Sequence, residues 1–114
     1  MSVSVPLNEL AQQIERFGRH PYLVTVATDG RPRAASVSVS WQRGALVVDA
    51  GRRSTENVGA NAAVALLWPA SRAGDHALIV DGRGVAGDGP PATRVIVVEP
   101  STAVLHVTSS DRAA

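Results

Sequence analysis

Tyr22-Leu23-Val24-Thr25-Val26-Ala27-Thr28-Asp29-Gly30-Arg31-Pro32-Arg33-Ala34-Ala35-Ser36-Val37-Ser38-Val39-Ser40-Trp41 reads as two strands and the turn between them. The first half is rich in β-branched residues. Asp29-Gly30 is among the strongest short hairpin signals, because both residues tolerate the positive φ that a tight turn needs. The second half alternates strictly. Arg33, Ala35, Val37, Val39 and Trp41 share one face, and Ala34, Ser36, Ser38 and Ser40 share the other. A period of two over nine residues is a strand, and its mixed faces predict an antiparallel sheet with one side on a core.

Outward from this hairpin the same punctuation continues. Gln42-Arg43-Gly44 turns the chain into a third strand, Leu46 to Asp49. Ser54 to Ala60 is expected as a short helix capped by Ser54 or Thr55. Ala63 to Trp68 is an almost wholly apolar fourth strand, stopped by Pro69, and Ser71 to Asp75 is a loop. His76 to about Val85 is a fifth strand, broken or bulged at Gly82 and Gly84. After the turn Asp88-Gly89-Pro90-Pro91 come two further strands, Arg94 to Glu99 and Ala103 to Val107, separated by Pro100-Ser101. Ahead of the hairpin, Leu7, Leu10, Ala11, Ile14 and Phe17 recur at helical spacing over residues 7–17, and Gly18 closes that helix. The tail 109–114 is expected to fray. Six or seven short strands with two small helices predict a mainly β fold, an antiparallel barrel or sandwich, in one domain spanning 1–114.

Composition narrows the chemistry. A chain of 114 residues buries roughly 65% of the surface its unfolded form exposes. The formal net charge of +1 gives no field for a polyanion, so nucleic acid is not an expected partner. All 11 basic residues are arginine. Without lysine there is no Schiff base or lysine general base, and any anion must be met by guanidinium forks. Cysteine is absent, which removes disulfides, thiol nucleophiles and thiolate metal sites. No leader pattern and no apolar run of about 20 residues is seen, so a cytoplasmic protein with no membrane role is expected.

Gly51-Arg52-Arg53-Ser54-Thr55 is the strongest candidate site. A loop entering a helix offers unpaired N–H groups and a positive partial charge, and arginines add bidentate contacts to phosphate oxygens. Two arginines serving only solubility is the competing reading. The small side chains of Ser36, Ser38 and Ser40 would let a flat ring approach the backbone, or would simply face solvent. Arg33 is either a second anion contact or a surface charge. Gly82-Arg83-Gly84-Val85-Ala86-Gly87 matches the dinucleotide glycine pattern but cannot open a helix ahead of Asp88-Gly89-Pro90-Pro91, so it is rejected. His20, His76 and His106 are isolated, no metal-ligand spacing occurs, and no G-x-S-x-G nucleophile is present. No metal site and no catalytic residue is assigned. Trp41 and Trp68 are expected to be buried at a sheet or dimer surface.

The order Tyr22 to Arg33, then Leu46-Val47-Val48-Asp49, then Asn57-Val58-Gly59-Ala60-Asn61 leading into Val64-Ala65-Leu66-Leu67, and finally Leu78-Ile79-Val80-Asp81-Gly82 resembles the pyridoxamine 5′-phosphate oxidase-like family, the FMN-binding split β-barrel, over nearly the whole chain. The resemblance implies a homodimer with FMN, or alternatively coenzyme F420, at the subunit interface, and a small-molecule substrate. Arg53, Ser54 and Thr55 would hold the phosphate with Arg52 adjacent. The flavin ring would lie along Ser36, Val37 and Ser38, lined by Val48 and Asp49, and Asn57 would brace the loop. Three features depart from the family. The basic residue often found in mid-strand is replaced by Ala35 or Ser36, with Arg33 as a substitute. The usual phosphate-loop lysine is replaced by Ser54. The longer C-terminal segment of the family's vitamin-converting members, with its Arg and His for the substrate phosphate, is not matched by Ser109-Ser110-Asp111-Arg112, so oxidation of pyridoxamine phosphate is not expected. The resulting expectation is an FMN-dependent oxidoreductase of unassigned substrate and hydride donor. The rivals are an F420-dependent reductase using Arg16, Arg19 and Arg43 along a groove, and a flavin-binding module without turnover.

Overall fold

The computed structural model of the protein describes residues 2–72, 74–87 and 95–107. The turn expected at 88–91, the start of a strand at residue 94 and the tail 109–114 lie outside the described residues. The elements in order are β1 (Ser2–Ser4), a 3-10 turn (Leu7–Glu9), α1 (Leu10–Phe17), β2 (Tyr22–Val26), β3 (Pro32–Ser36), β4 (Ser38–Gln42), β5 (Ala45–Asp49), α2 (Arg52–Ala60), β6 (Ala63–Trp68), β7 (Ala77–Ala86) and β8 (Val95–His106). All described pairings are antiparallel. The path across the sheet is β3-β2-β6-β7-β8-β5-β4, and β1 is added against β8.

The two ends of that path, β3 and β4, are consecutive in sequence. The single alternating strand expected over 33–41 is therefore divided at Val37: its first half pairs with β2 and its second with β5. Closure comes from the segment before β2, where the Val37 N–H donates to Pro21 O (3.1 Å) and the Val39 N–H to Arg19 O (2.9 Å). The alternation itself is as expected. Val37 and Val39 are buried and Trp41 packs against the core, while Ser36 is exposed and Ser38 and Ser40 are half-buried. Leu23, Leu46, Val48, Leu66, Leu78, Val80, Ile96 and Val98 fill the interior, and Leu10 and Ile14 of α1 join the same cluster. Each such aliphatic side chain contributes on the order of 1.5–3 kcal/mol by leaving water.

Turn chemistry sets the connections. The Ala27 N–H donates to Arg31 O and the Gly30 N–H to Ala27 O, with Gly30 at φ 86°. The Asp-Gly signal thus closes a three-residue loop ending in a left-handed glycine rather than a two-residue one. Arg43 (φ 53°) and Gly44 (φ 79°) form the two-residue turn between β4 and β5, where both positions need positive φ. α1 ends at Gly18, whose carbonyl accepts the Trp68 indole N–H at 2.8 Å. That bond explains why Trp68 can lie 2% exposed, in the core and not at a surface.

Three expectations are corrected. The two strands on either side of Pro100-Ser101 are one strand, β8. Asp81 pairs with Thr102 and Gly82 with Pro100, so Ser101 is the extra residue of a bulge, and proline is tolerated there because its missing N–H has no ladder partner to lose. β1 was not foreseen. α2 begins at Arg52 with Gly51 as its N-cap, not at Ser54 or Thr55. The glycine run stays in β7 as far as Ala86 and opens no helix, in keeping with the rejection of a dinucleotide loop. A Cβ on Gly82 would sit 2.5 Å from Glu99 O, and one on Gly84 would meet Ile96 and, at 3.2 Å, Val58 of α2. These glycines let the bulge form and let α2 lie close on the sheet.

Candidate functional site

The site grows from two pairs of residues. Thr25 and Arg33 are directly opposed on β2 and β3, so their side chains share the inward face of the hairpin. Arg53 and Asn57 are four apart on α2 and share one face of that helix. A single hydrogen bond joins the two elements. Asn57 Nδ2 donates to Oγ1 of Thr25, which is fully buried, at 3.1 Å. The result is a cleft of about 530 Å³ into which Arg33, Arg53 and Asn57 all project.

The guanidinium groups of Arg33 and Arg53 make no ion pair or hydrogen bond with any described residue. Arg31 also lines the cleft, but its guanidinium is 3.8 Å from Asp29, whose Oδ1 accepts the Arg31 backbone N–H. Two unpaired guanidinium groups, a side-chain amide and the first turn of a helix form a cationic cradle with spare donors, suited to a compact anion. Because α2 starts at Arg52, the N–H groups of its first residues have no intrahelical acceptor.

The other candidate residues are distributed differently. Arg52 turns to the outer face of α2 and pairs with Glu56 at 3.5 Å in full solvent. Ser54 is 2% exposed and points into the protein. The Thr55 hydroxyl donates back to Gly51 O at 2.9 Å. Val37 and Val48 are core side chains, leaving only their backbones to face a ligand, and Asp49 is exposed on β5. Ser36 and Ser38 flank Val37 on the outside of the barrel, and Ser38 Oγ lies 3.4 Å from His20 Nδ1. None of Ser36, Val37, Ser38, Val48, Asp49, Arg52, Ser54 or Thr55 lines the arginine cleft of this subunit. Arg16, Arg19 and Arg43 do not line it either: Arg19 donates to Val39 O at the barrel seam (3.4 Å), and Arg43 forms the β4–β5 turn. Sequence reasoning missed Thr25 and Arg31. A threonine on the inward face of a strand was the available signal for the first, since a buried hydroxyl requires a partner. Among the described residues no group of three or more His, Asp or Glu side chains clusters as metal ligands would.

No protein-family model and no curated protein matches the chain. Solved structures do. A protein from Listeria innocua, described provisionally as a pyridoxamine 5′-phosphate oxidase, superposes with a TM-score of 0.68 at 17% identity over 88% of this chain and 100% of its own. The shared fold is a split β-barrel, a single antiparallel sheet curled into a half-barrel. The FAD binding protein from Mycobacterium smegmatis has the same split barrel, with a TM-score of 0.63 at 15% identity over 93% of this chain and 99% of its own. An F420 reductase shares 25% identity with a TM-score of 0.57, over 75% of this chain and 88% of its own. No helix among the described residues is long and apolar enough to cross a membrane.

Proposed function

We propose that this split barrel binds the phosphate of FMN between Arg33 and Arg53 and works as a homodimeric flavin oxidoreductase. One observation carries the reading: two guanidinium groups without carboxylate partners face a single cleft beside the start of α2. Unpaired arginines at the edge of a cleft match the two negative charges of a phosphate monoester and explain how the chain does without lysine. Asn57, held by Thr25, keeps that face of α2 turned toward the anion. When bound, the flavin supplies the hydride chemistry, and the chain supplies position and charge. The outer face of β5, β7 and β8 supports the dimer. There Val47 opposes Val97 and Val97 opposes Val85, the last 67% exposed. A second subunit on that face would cover an apolar strip that a monomer leaves in water.

The 25% identity to an F420 reductase supports a second reading, in which the same cradle takes the deazaflavin's anionic tail. Titration separates these readings. FMN should quench its fluorescence on binding, riboflavin should bind far more weakly because it lacks the phosphate, and F420 should not compete. Arg53→Ala should weaken FMN by roughly 1.5–3 kcal/mol, the value of a hydrogen bond to a charged group. Equal affinity for FMN and riboflavin, or an unaffected Arg53→Ala variant, refutes the phosphate site. Native mass spectrometry of the purified protein tests dimer and cofactor together.

A further inference from the structure

The arginine cleft contains an acid as well as its bases. Among the described residues that line it are three guanidinium groups, Arg31, Arg33 and Arg53, and one carboxylate, Asp29. Ala27, Pro32, Ala34 and Asn57 bring no charge. The walls are therefore left with a surplus of two positive charges, not three.

The carboxylate is fixed to this wall by the loop that carries it. The Ala27 N–H to Arg31 O and Gly30 N–H to Ala27 O bonds, both 2.9 Å, close the β2–β3 connection. Within it Asp29 Oδ1 accepts the Arg31 backbone N–H at 3.1 Å, and Oδ2 lies 3.8 Å from Arg31 Nε. Acid and base are thus held together before any ligand arrives. The pair adds little to stability, since the Asp29 side chain is 64% exposed and that of Arg31 87%. Its effect falls on the field at the cleft. Coulomb energy grows with the product of the charges, so a fixed carboxylate disfavours an anion more strongly the more charge that anion carries. A phosphate monoester brings up to about two negative charges, which Arg33 and Arg53 meet. A second phosphoryl group, or a row of carboxylates, finds only Arg31 left, and Arg31 is already neutralised.

We infer that Asp29 is the charge selector of the cleft: by occupying Arg31 it fits the site to a phosphate monoester and sets it against a diphosphate or a tail of several carboxylates. Such selection presupposes the phosphate reading given above and narrows it to one class of ligand.

The probes are inorganic phosphate and pyrophosphate, titrated at low salt into the isotope-labelled full chain and followed by amide shifts at Ala27, Arg33 and Asn57. The readout is the ratio of the two affinities. Asparagine accepts the same turn hydrogen bond as aspartate, so Asp29→Asn removes the charge and keeps the loop. It should raise pyrophosphate over phosphate roughly threefold, the scale of one near-aqueous Coulomb pair, and the gain should fade at about 0.5 M salt. Arg31→Gln should move the ratio the other way. The Asp29→Asn/Arg31→Gln double variant should restore the parent ratio, because it leaves the net charge of the cleft unaltered. Asp81→Asn changes the charge of the protein equally, on the exposed face of β7 and outside the cleft lining, and should leave the ratio alone. A ratio unmoved by Asp29→Asn, moved as far by Asp81→Asn, or not restored in the double variant overturns the selector while phosphate still binds. Phosphate shifts that are absent, or that persist in an Arg33→Ala/Arg53→Ala variant, overturn the phosphate site itself and the selector with it.

Discussion

Replacing Thr25 by valine should destabilise the fold by about 1 kcal/mol, although it adds a methyl group to a site that is fully buried. Two terms oppose one another. Exchange of hydroxyl for methyl favours burial, but the Asn57 amide loses its 3.1 Å acceptor. Asn57 lines an open cleft, so water can replace part of that bond, and the cost belongs near the lower end of the range for an abandoned donor, about 1–3 kcal/mol. Unfolding entropy scales with chain length, so for 114 residues 1 kcal/mol corresponds to a fall in melting temperature of about 4 °C. The decisive comparison is made in an Asn57→Ala background. There no donor remains to be orphaned, and Thr25→Val should be neutral or stabilising. Calorimetry of the four proteins gives the coupling directly. Thr25→Val costs of equal sign and size in both backgrounds would show that the hydroxyl does not tie β2 to α2, and the argument for how Arg53 is aimed would fall with it.

Two further outcomes follow from the backbone. Gly82→Ala should cost roughly 1–3 kcal/mol, because its Cβ would sit 2.5 Å from Glu99 O and the β7–β8 bulge would have to open; a urea midpoint unchanged from the parent would refute it. Arg43→Asn should stabilise by up to about 1 kcal/mol, since asparagine tolerates the left-handed φ of 53° that arginine is forced to adopt; a lower melting temperature would count against the turn assignment.

Much of this architecture could be read from residues. The hairpin at Asp29-Gly30, the alternation from Arg33 to Trp41 and the apolar run of β6 are local patterns, and the strands form where those patterns lie. What escaped was set by distant parts of the chain. Ser2–Ser4 is too short to show a period, and it is a strand only because residues 104–106 offer it an edge. The division at Val37 leaves the alternation intact and therefore no trace in it. Ser54 and Thr55 looked like helix caps because hydroxyls usually serve there, yet the helix starts two residues earlier on a glycine without a side-chain cap. That shift decided which arginine faces the cleft. Arg52 and Arg53 are indistinguishable as neighbours in sequence, and only the helical register turns one to Glu56 and the other toward Arg33.

The absent side chain at Gly84 reaches further than its own strand. Val58 rides 3.2 Å above the place where a Cβ would be, so the height of α2 over the barrel is dictated from beneath. A single methyl there would press on Val58 and Ile96, which would have to give by a few tenths of an ångström. The seat of the helix that carries Arg53 is thus set from inside the protein, by a residue no ligand would ever touch.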